Sequence, residues 1–164
     1  DEAEEYLGRA RDVAEESGDK RVLFDVNRNL GELAQARGDN DGAVERVEFA
    51  LELADELDSR SLTGTAKQSM AVIYADQSTR EDSDETAEDA TDLFEEAIDI
   101  LEEVGNEAQL ARCLSNYGEF LVDRGDVRQG RKRLETAREM FDRLQLKKLW
   151  EATDQNISEL QREA

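Results

Sequence analysis

Acidic side chains are the one chemically capable group this sequence supplies in quantity. Asp and Glu number 42 against 21 Lys and Arg, there is no His, and Cys113 is the single cysteine. Paired carboxylates can serve as general acid and base or gather a cation, and Glu95-Glu96 and Glu102-Glu103 are such pairs. Neighbouring residues on a helix point about 100° apart, however, so these pairs diverge instead of converging on a substrate. The stretch STREDSDETAED, from Ser78 to Asp89, holds six acids, and Asp82-x-Asp84 opens like a calcium loop. The next position is Glu85 and no Gly follows at the sharp turn, so the stretch reads as a mobile acidic loop. Without His there is no Ser-His-Asp or Cys-His nucleophile and no His-based zinc or di-iron site, and no Gly-rich phosphate loop is present. Cys113 falls on the buried side of its helix, where a thiol acts as a small hydrophobe, the other reading being a reactive thiol. The expectation is a protein with no catalytic residue, no metal site and no cofactor.

The elements that position these groups are marked by small residues. Leu30-Gly31, Met70-Ala71 and Tyr117-Gly118 follow one another at intervals of 40 and 47 residues. After each comes a second pattern: Ala43, Val47, Ala50; then Ala90, Phe94, Ala97; then Gly130, Leu134, Ala137. This small-x-x-x-large-x-x-small spacing is one face of a helix, and it occurs once more at Ala3, Leu7 and Ala10. Gly18 and Gly105, Gly31 and Gly118, and Gly38 and Gly125 are each 87 residues apart. Gly and Ala at such points let two helix axes approach closely, so that a large residue of one helix enters the space left on the other. Gly38 and Gly125 suit left-handed helix termination, and Asp39 or Asn40 and Asp126 can cap the helix that follows. The pattern predicts an all-α chain of eight helices, at 1–17, 20–37, 40–57, 60–77, 86–104, 107–124, 127–144 and 147–163. Pro is absent and only 5% of residues are aromatic, as suits such a chain, and 164 residues match a single domain.

Arranged in this way the residues resemble the tetratricopeptide repeat (TPR), two antiparallel helices in a unit of about 34 residues. Helix A would carry Leu30-Gly31-Ala34, Met70-Ala71-Tyr74 and Tyr117-Gly118-Leu121, and helix B the three triplets downstream. The 40-residue period is similar to the longer variety of that family, while the usual Trp position holds Asn27, Lys67 and Leu114. The resemblance implies a TPR-like α-solenoid wound as a right-handed superhelix. Its parts would be an unpaired helix B at 1–18, repeats at 20–57, 60–104 with the acidic insertion 78–89, and 107–144, then a terminal capping helix at 147–164. An excised piece of a longer protein accounts for the unpaired first helix, and so does pairing of that helix with another copy.

The resemblance also implies a non-catalytic scaffold for protein–protein interaction, whose concave groove is lined by helix A. By register that face receives Asp25, Arg28, Glu32, Gln35 and Ala36; Thr65, Gln68, Val72, Ala75 and Asp76; and Arg112, Ser115, Glu119, Val122 and Asp123. Asn29 and Asn116 precede the Leu-Gly-type pairs, where an Asn in peptide-binding relatives bonds the ligand backbone; Ser69 stands there in the middle unit. An Asn bonded to a neighbouring helix or to water is the competing reading. The expected contacts are Arg28, Asn29, Glu32, Gln68, Val72, Arg112, Asn116 and Glu119, for a partner protein or peptide of unknown identity. The alternative is a sensory or oligomerising module of a larger transcriptional or nucleotide-hydrolysing regulator.

A formal charge of −21 repels phosphate backbones and anionic lipid heads, which argues against nucleic-acid and membrane partners. The longest apolar run, Met70 to Ala75, is far short of the ~20 residues that span a bilayer. One cysteine cannot form an internal disulfide, and a cytoplasmic location follows most simply. Many carboxylates with only five Lys resemble the composition of halophile proteins; the competing reading is an acidic docking surface for a basic partner.

Overall fold

The computed structural model describes residues 2–162, the side chain of Ala3 excepted. Ala3 of the first triplet, Asp1, and Glu163 and Ala164 of the expected last helix therefore lie outside what is described. Among the described residues eight helices follow in order: α1 (Glu2–Ser17), α2 (Lys20–Ala36), α3 (Asn40–Glu56), α4 (Arg60–Glu81), α5 (Asp84–Glu103), α6 (Glu107–Asp123), α7 (Val127–Arg143) and α8 (Lys147–Arg162). No strand occurs among the described residues, and no helix is long and apolar enough to cross a membrane.

The chain divides into two compact units, Asp1–Glu96 and Ala97–Ala164. In the first, α2 packs against α1, α3 and α4, and α3 also packs against α4. Their shared core joins Leu23 and Phe24 of α2, Val47 and Leu53 of α3, and Leu62, Met70 and Ile73 of α4. In the second, α7 packs between α6 and α8, and Ala111, Ala137 and Phe141 form a core closed by Leu149 and Trp150.

The helix ends follow from local chemistry. Residues in the left-handed region stand at 18, 38 and 58 and again at 105, 125 and 145, a 20-residue beat within each unit. At each, the next amide turns back to a carbonyl of the last helical turn, as in Asp39 N–H to Ala34 O and Asp126 N–H to Leu121 O. Except after Gln145, where Leu146 follows, the next residue then caps the following helix: Asp39 accepts from the Gly42 amide at 3.0 Å and Asp126 from that of Gln129 at 3.1 Å.

The small residues are points of close approach, as the spacing predicts. A Cβ on Gly31 would lie 2.9 Å from Val47 Cγ2 and 3.2 Å from the Ala43 carbonyl. On Gly118 it would lie 2.9 Å from both the Gly130 carbonyl and Leu134 Cγ. Ala43, Ala50, Ala90, Ala97 and Ala137 are all fully buried.

The expected acidic loop at 78–89 is not a loop. α4 continues to Glu81, α5 begins at Asp84, and only Asp82 and Ser83 connect them. Seven extra residues make close to two helical turns, which two antiparallel helices absorb as added length without losing register. Ser78 is fully buried and donates to the Ala75 carbonyl at 2.8 Å, while Ser83 Oγ caps α5 by accepting from the Thr86 amide at 3.2 Å. Asp84 and Glu85 fall in the first turn of α5, where the helix dipole favours negative charge.

Candidate partner-binding surface

In the first unit the expected contacts come from α2 and α4. Arg28 reaches one turn along α2 to the Glu32 carboxylate, and its other nitrogen donates to Asn29 Oδ1 at 2.8 Å. The three side chains thus form one cluster, in which the acceptor of Asn29 is already used and its amide NH2 is left to donate. Gln35 Nε2 donates to the Val72 carbonyl at 3.4 Å, holding α2 beside α4, and Val72 is half-buried. Gln68 is buried, and its carbonyl oxygen has no hydrogen-bond partner. Thr65 is buried too, its hydroxyl donating to the Ser61 carbonyl at 2.9 Å. Gln68 and Thr65 therefore do not line an open surface, because this side of α4 serves packing.

In the second unit α6 and α8 meet along the same register. Ser115 is buried with its hydroxyl 3.4 Å from that of Thr153. Arg112 and Glu119 are exposed and Asn116 is half-buried. Glu119, Val122 and Asp123 of α6, Leu134 of α7, and Asn156, Glu159 and Leu160 of α8 line a recess of about 290 Å³. Asn156 Nδ2 donates to Glu119 Oε1 at 2.7 Å. Desolvation raises the Glu119 pKa above the ordinary carboxylate range; the Asn156 bond partly offsets this, and the Asp123 charge adds to it. The lining joins Val122, Leu134 and Leu160 with three carboxylates, and no lining residue is basic.

Asn156 and Glu159 were not among the expected contacts, since α8 reads as a cap. The signal is nevertheless in the sequence: Asn156 lies 40 residues after Asn116, and Glu159 lies 40 after Glu119, the same step that relates Asn29 to Ser69. The expected Trp position is filled by Asn27, which is buried, donates to the Leu23 carbonyl at 2.8 Å and accepts from Arg46 at 3.3 Å. Cys113 is fully buried, and burial pushes its thiol pKa up to about 12, which holds it protonated and unreactive. Among the described residues no group of three or more His, Cys, Asp or Glu has the arrangement of a metal site. The chain matches no protein-family model and no curated protein.

Proposed function

We propose that this chain is a TPR-like, non-catalytic scaffold for a partner protein, a segment of which is held in the second unit against α6 and α8. The observation that carries the reading is the α6–α7–α8 recess. Its volume of about 290 Å³ lies at the lower edge of the roughly 300 to 1,000 Å³ usual for small-molecule sites, so it suits one side chain better than a whole ligand. Its acceptors, the carboxylates of Glu119, Asp123 and Glu159, favour a Lys or Arg on that segment, with the alkyl stem against Val122, Leu134 and Leu160. The amide of Asn116 would engage that segment's backbone, and the amide of Asn29 offers the same donor to the partner on the first unit. Acid excess and a single buried thiol support work in a salt-rich cytoplasm.

Peptides selected from a displayed library on this chain in multimolar KCl test the proposal, with binding then followed by fluorescence anisotropy. The selected sequences should be enriched in Lys or Arg. Asn29→Ala with Asn116→Ala, or Glu119→Gln with Glu159→Gln, should weaken binding by roughly tenfold while the helical spectrum is unchanged. Binding that survives both pairs but is lost on changing Glu45 and Glu135, on α3 and α7, would move the site to that other side.

A further inference from the structure

The recess of the second unit has a counterpart place in the first, and the residues there differ. A step of 87 residues carries Glu32, Gln35, Val72 and Ile73 onto Glu119, Val122, Glu159 and Leu160. It also carries Ala36 onto Asp123 and Ser69 onto Asn156. In the first unit this place is bridged: Gln35 reaches from α2 and donates to the Val72 carbonyl at 3.4 Å, and Val47, Ser69 and Ile73 are buried. Val122 is shorter than Gln and has no polar atom with which to make that bond, and in the second unit the recess of about 290 Å³ stands beside it. Its walls are the sides of α6 and α8 that already pack on each other, through Ser115 with Thr153 and Glu119 with Asn156.

Charge changes at the same positions. The first unit has one carboxylate there, Glu32, paired with Arg28. The second has three, Glu119, Asp123 and Glu159, and Ser115 stands where Arg28 would be. Arg131, Arg138 and Arg143 of α7 are engaged elsewhere, on Glu135 at 2.9 Å, Asp154 at 2.8 Å and Glu107 at 3.0 Å. A general excess of surface acid does not account for the added carboxylates, because residues 97–164, with 14 acids and 11 bases, carry a net charge of only −3.

An ammonium suits this set better than a guanidinium. Two of the carboxylates stand one turn apart on α6 and the third on α8, and one Glu119 oxygen already accepts from Asn156. A lysine head offers three donors in three directions, whereas a guanidinium bonds best as a parallel pair to both oxygens of one carboxylate. The lysine stem would lie on Val122, Leu134 and Leu160. A cation beside Glu119 also compensates the desolvation of that side chain.

Resting on the reading that a partner segment lies against α6 and α8, we infer that Val122 is the specificity-determining residue of the site. It leaves open a pocket that takes lysine in preference to arginine, at the position from which Gln35 bridges the first unit.

A displayed random peptide library, selected in multimolar KCl on the whole chain and on its Val122→Gln and Val122→Ala variants, tests this. Gln is what the first unit carries at this position and Ala only widens the opening, so both variants should fold, which thermal melts verify. Peptides selected on the unaltered chain should carry Lys in preference to Arg. Exchanging that Lys for Arg in a synthetic copy should weaken binding by roughly tenfold in fluorescence anisotropy. Val122→Ala should keep the preference. Val122→Gln should lose it, binding both copies alike and about tenfold more weakly than the unaltered chain binds the Lys copy. Selected peptides that favour Arg, or a Lys preference that survives Val122→Gln, overturn the inference and leave the partner reading standing. So does a preference lost equally in Val122→Ala, which would make residue 122 a packing residue alone. Selection of no peptide at all removes that reading and this inference together.

Discussion

The two units share a register and differ in charge. Residues 1–96 hold 28 acids and 10 bases, a net −18, whereas residues 97–164 hold 14 acids and 11 bases, a net −3. Acids occur along the whole chain, yet nearly all the excess lies in the first unit. Despite this, α2 and α3 and their counterparts α6 and α7 each run 17 residues and end on the same left-handed turn. Small residues at helix contacts therefore set the architecture, and surface charge varies over it without moving a helix end. The contrast reaches single side chains. Glu32 has Arg28 one turn before it and forms an ion pair, while its counterpart Glu119 has Ser115 there and is met by the neutral Asn156.

The largest expected effect concerns salt. Like charges at −18 repel far more than at −3, and about 1 M salt shortens the screening length to roughly 3 Å. Hydrogen exchange followed by mass spectrometry should show protection in α1–α4 rising on the order of a hundredfold from low to multimolar KCl, with a much smaller rise in α6–α8. Equal gains in both units would break the link between charge and stability, and with it the halophile reading.

Glycine substitutions come next. A Cβ on Gly130 would lie 2.5 Å from the Gly118 carbonyl and 3.0 Å from the Val122 amide nitrogen, both backbone atoms that cannot step aside. Gly130→Ala should cost about 1 to 3 kcal/mol in chemical denaturation. Gly31→Ala should cost less, because the closest atom is a Val47 methyl group, and Gly8→Ala, with nothing within 4 Å, should stabilise by about 0.5 to 1 kcal/mol. Equal costs at all three would mean that helix approach is not what selects glycine.

Turn exchange should have a comparable but smaller effect. Asp58 and Gln145 hold φ of 47° and 57° at positions where Gly18, Gly38, Gly105 and Gly125 stand in the other turns. Asp58→Gly and Gln145→Gly should each stabilise by roughly 0.5 kcal/mol, relief of left-handed strain being partly offset by unfolded-chain entropy. Thermal melts would show whether either turn gains nothing.

The smallest effect separates Glu119 from Glu32. Glu119 has its folded pKa raised, so its favourable contribution is complete below the unfolded carboxylate pKa and is lost as pH rises through the folded value. Glu119→Gln should therefore raise the melting temperature at pH 7, by well under about 1 kcal/mol because the side chain keeps much of its solvent, and the gain should vanish in acid. Glu32→Gln should do the opposite, losing about 0.3 to 0.5 kcal/mol with the Arg28 pair. Melts of the Glu119 variant from pH 3 to pH 8, at roughly one-unit steps, and of the Glu32 variant at pH 7 check the two signs.

What the sequence by itself determined is what short-range chemistry and periodicity control. Helix number and most helix ends follow from Gly at left-handed turns and Asp, Asn or Ser caps, all decided within a few residues, while the turn at Gln145 and Leu146 has neither. The close approaches at Gly31, Gly118 and Gly130 follow from a spacing that places small residues on one helix face. Tertiary structure alone decided the rest. The acidic stretch became helix because length added to α4 is matched by length added to α5 across the pair, a condition no local window contains. Gln68 and Thr65, placed on the groove by register, were buried because one side of α4 serves both display and packing. The recess arose where Asn156 reached Glu119 from 37 positions away, and only that meeting of two helices fixed which carboxylate is desolvated. Burial and pKa depend on which atoms from distant segments displace water, and the chain order does not encode that locally.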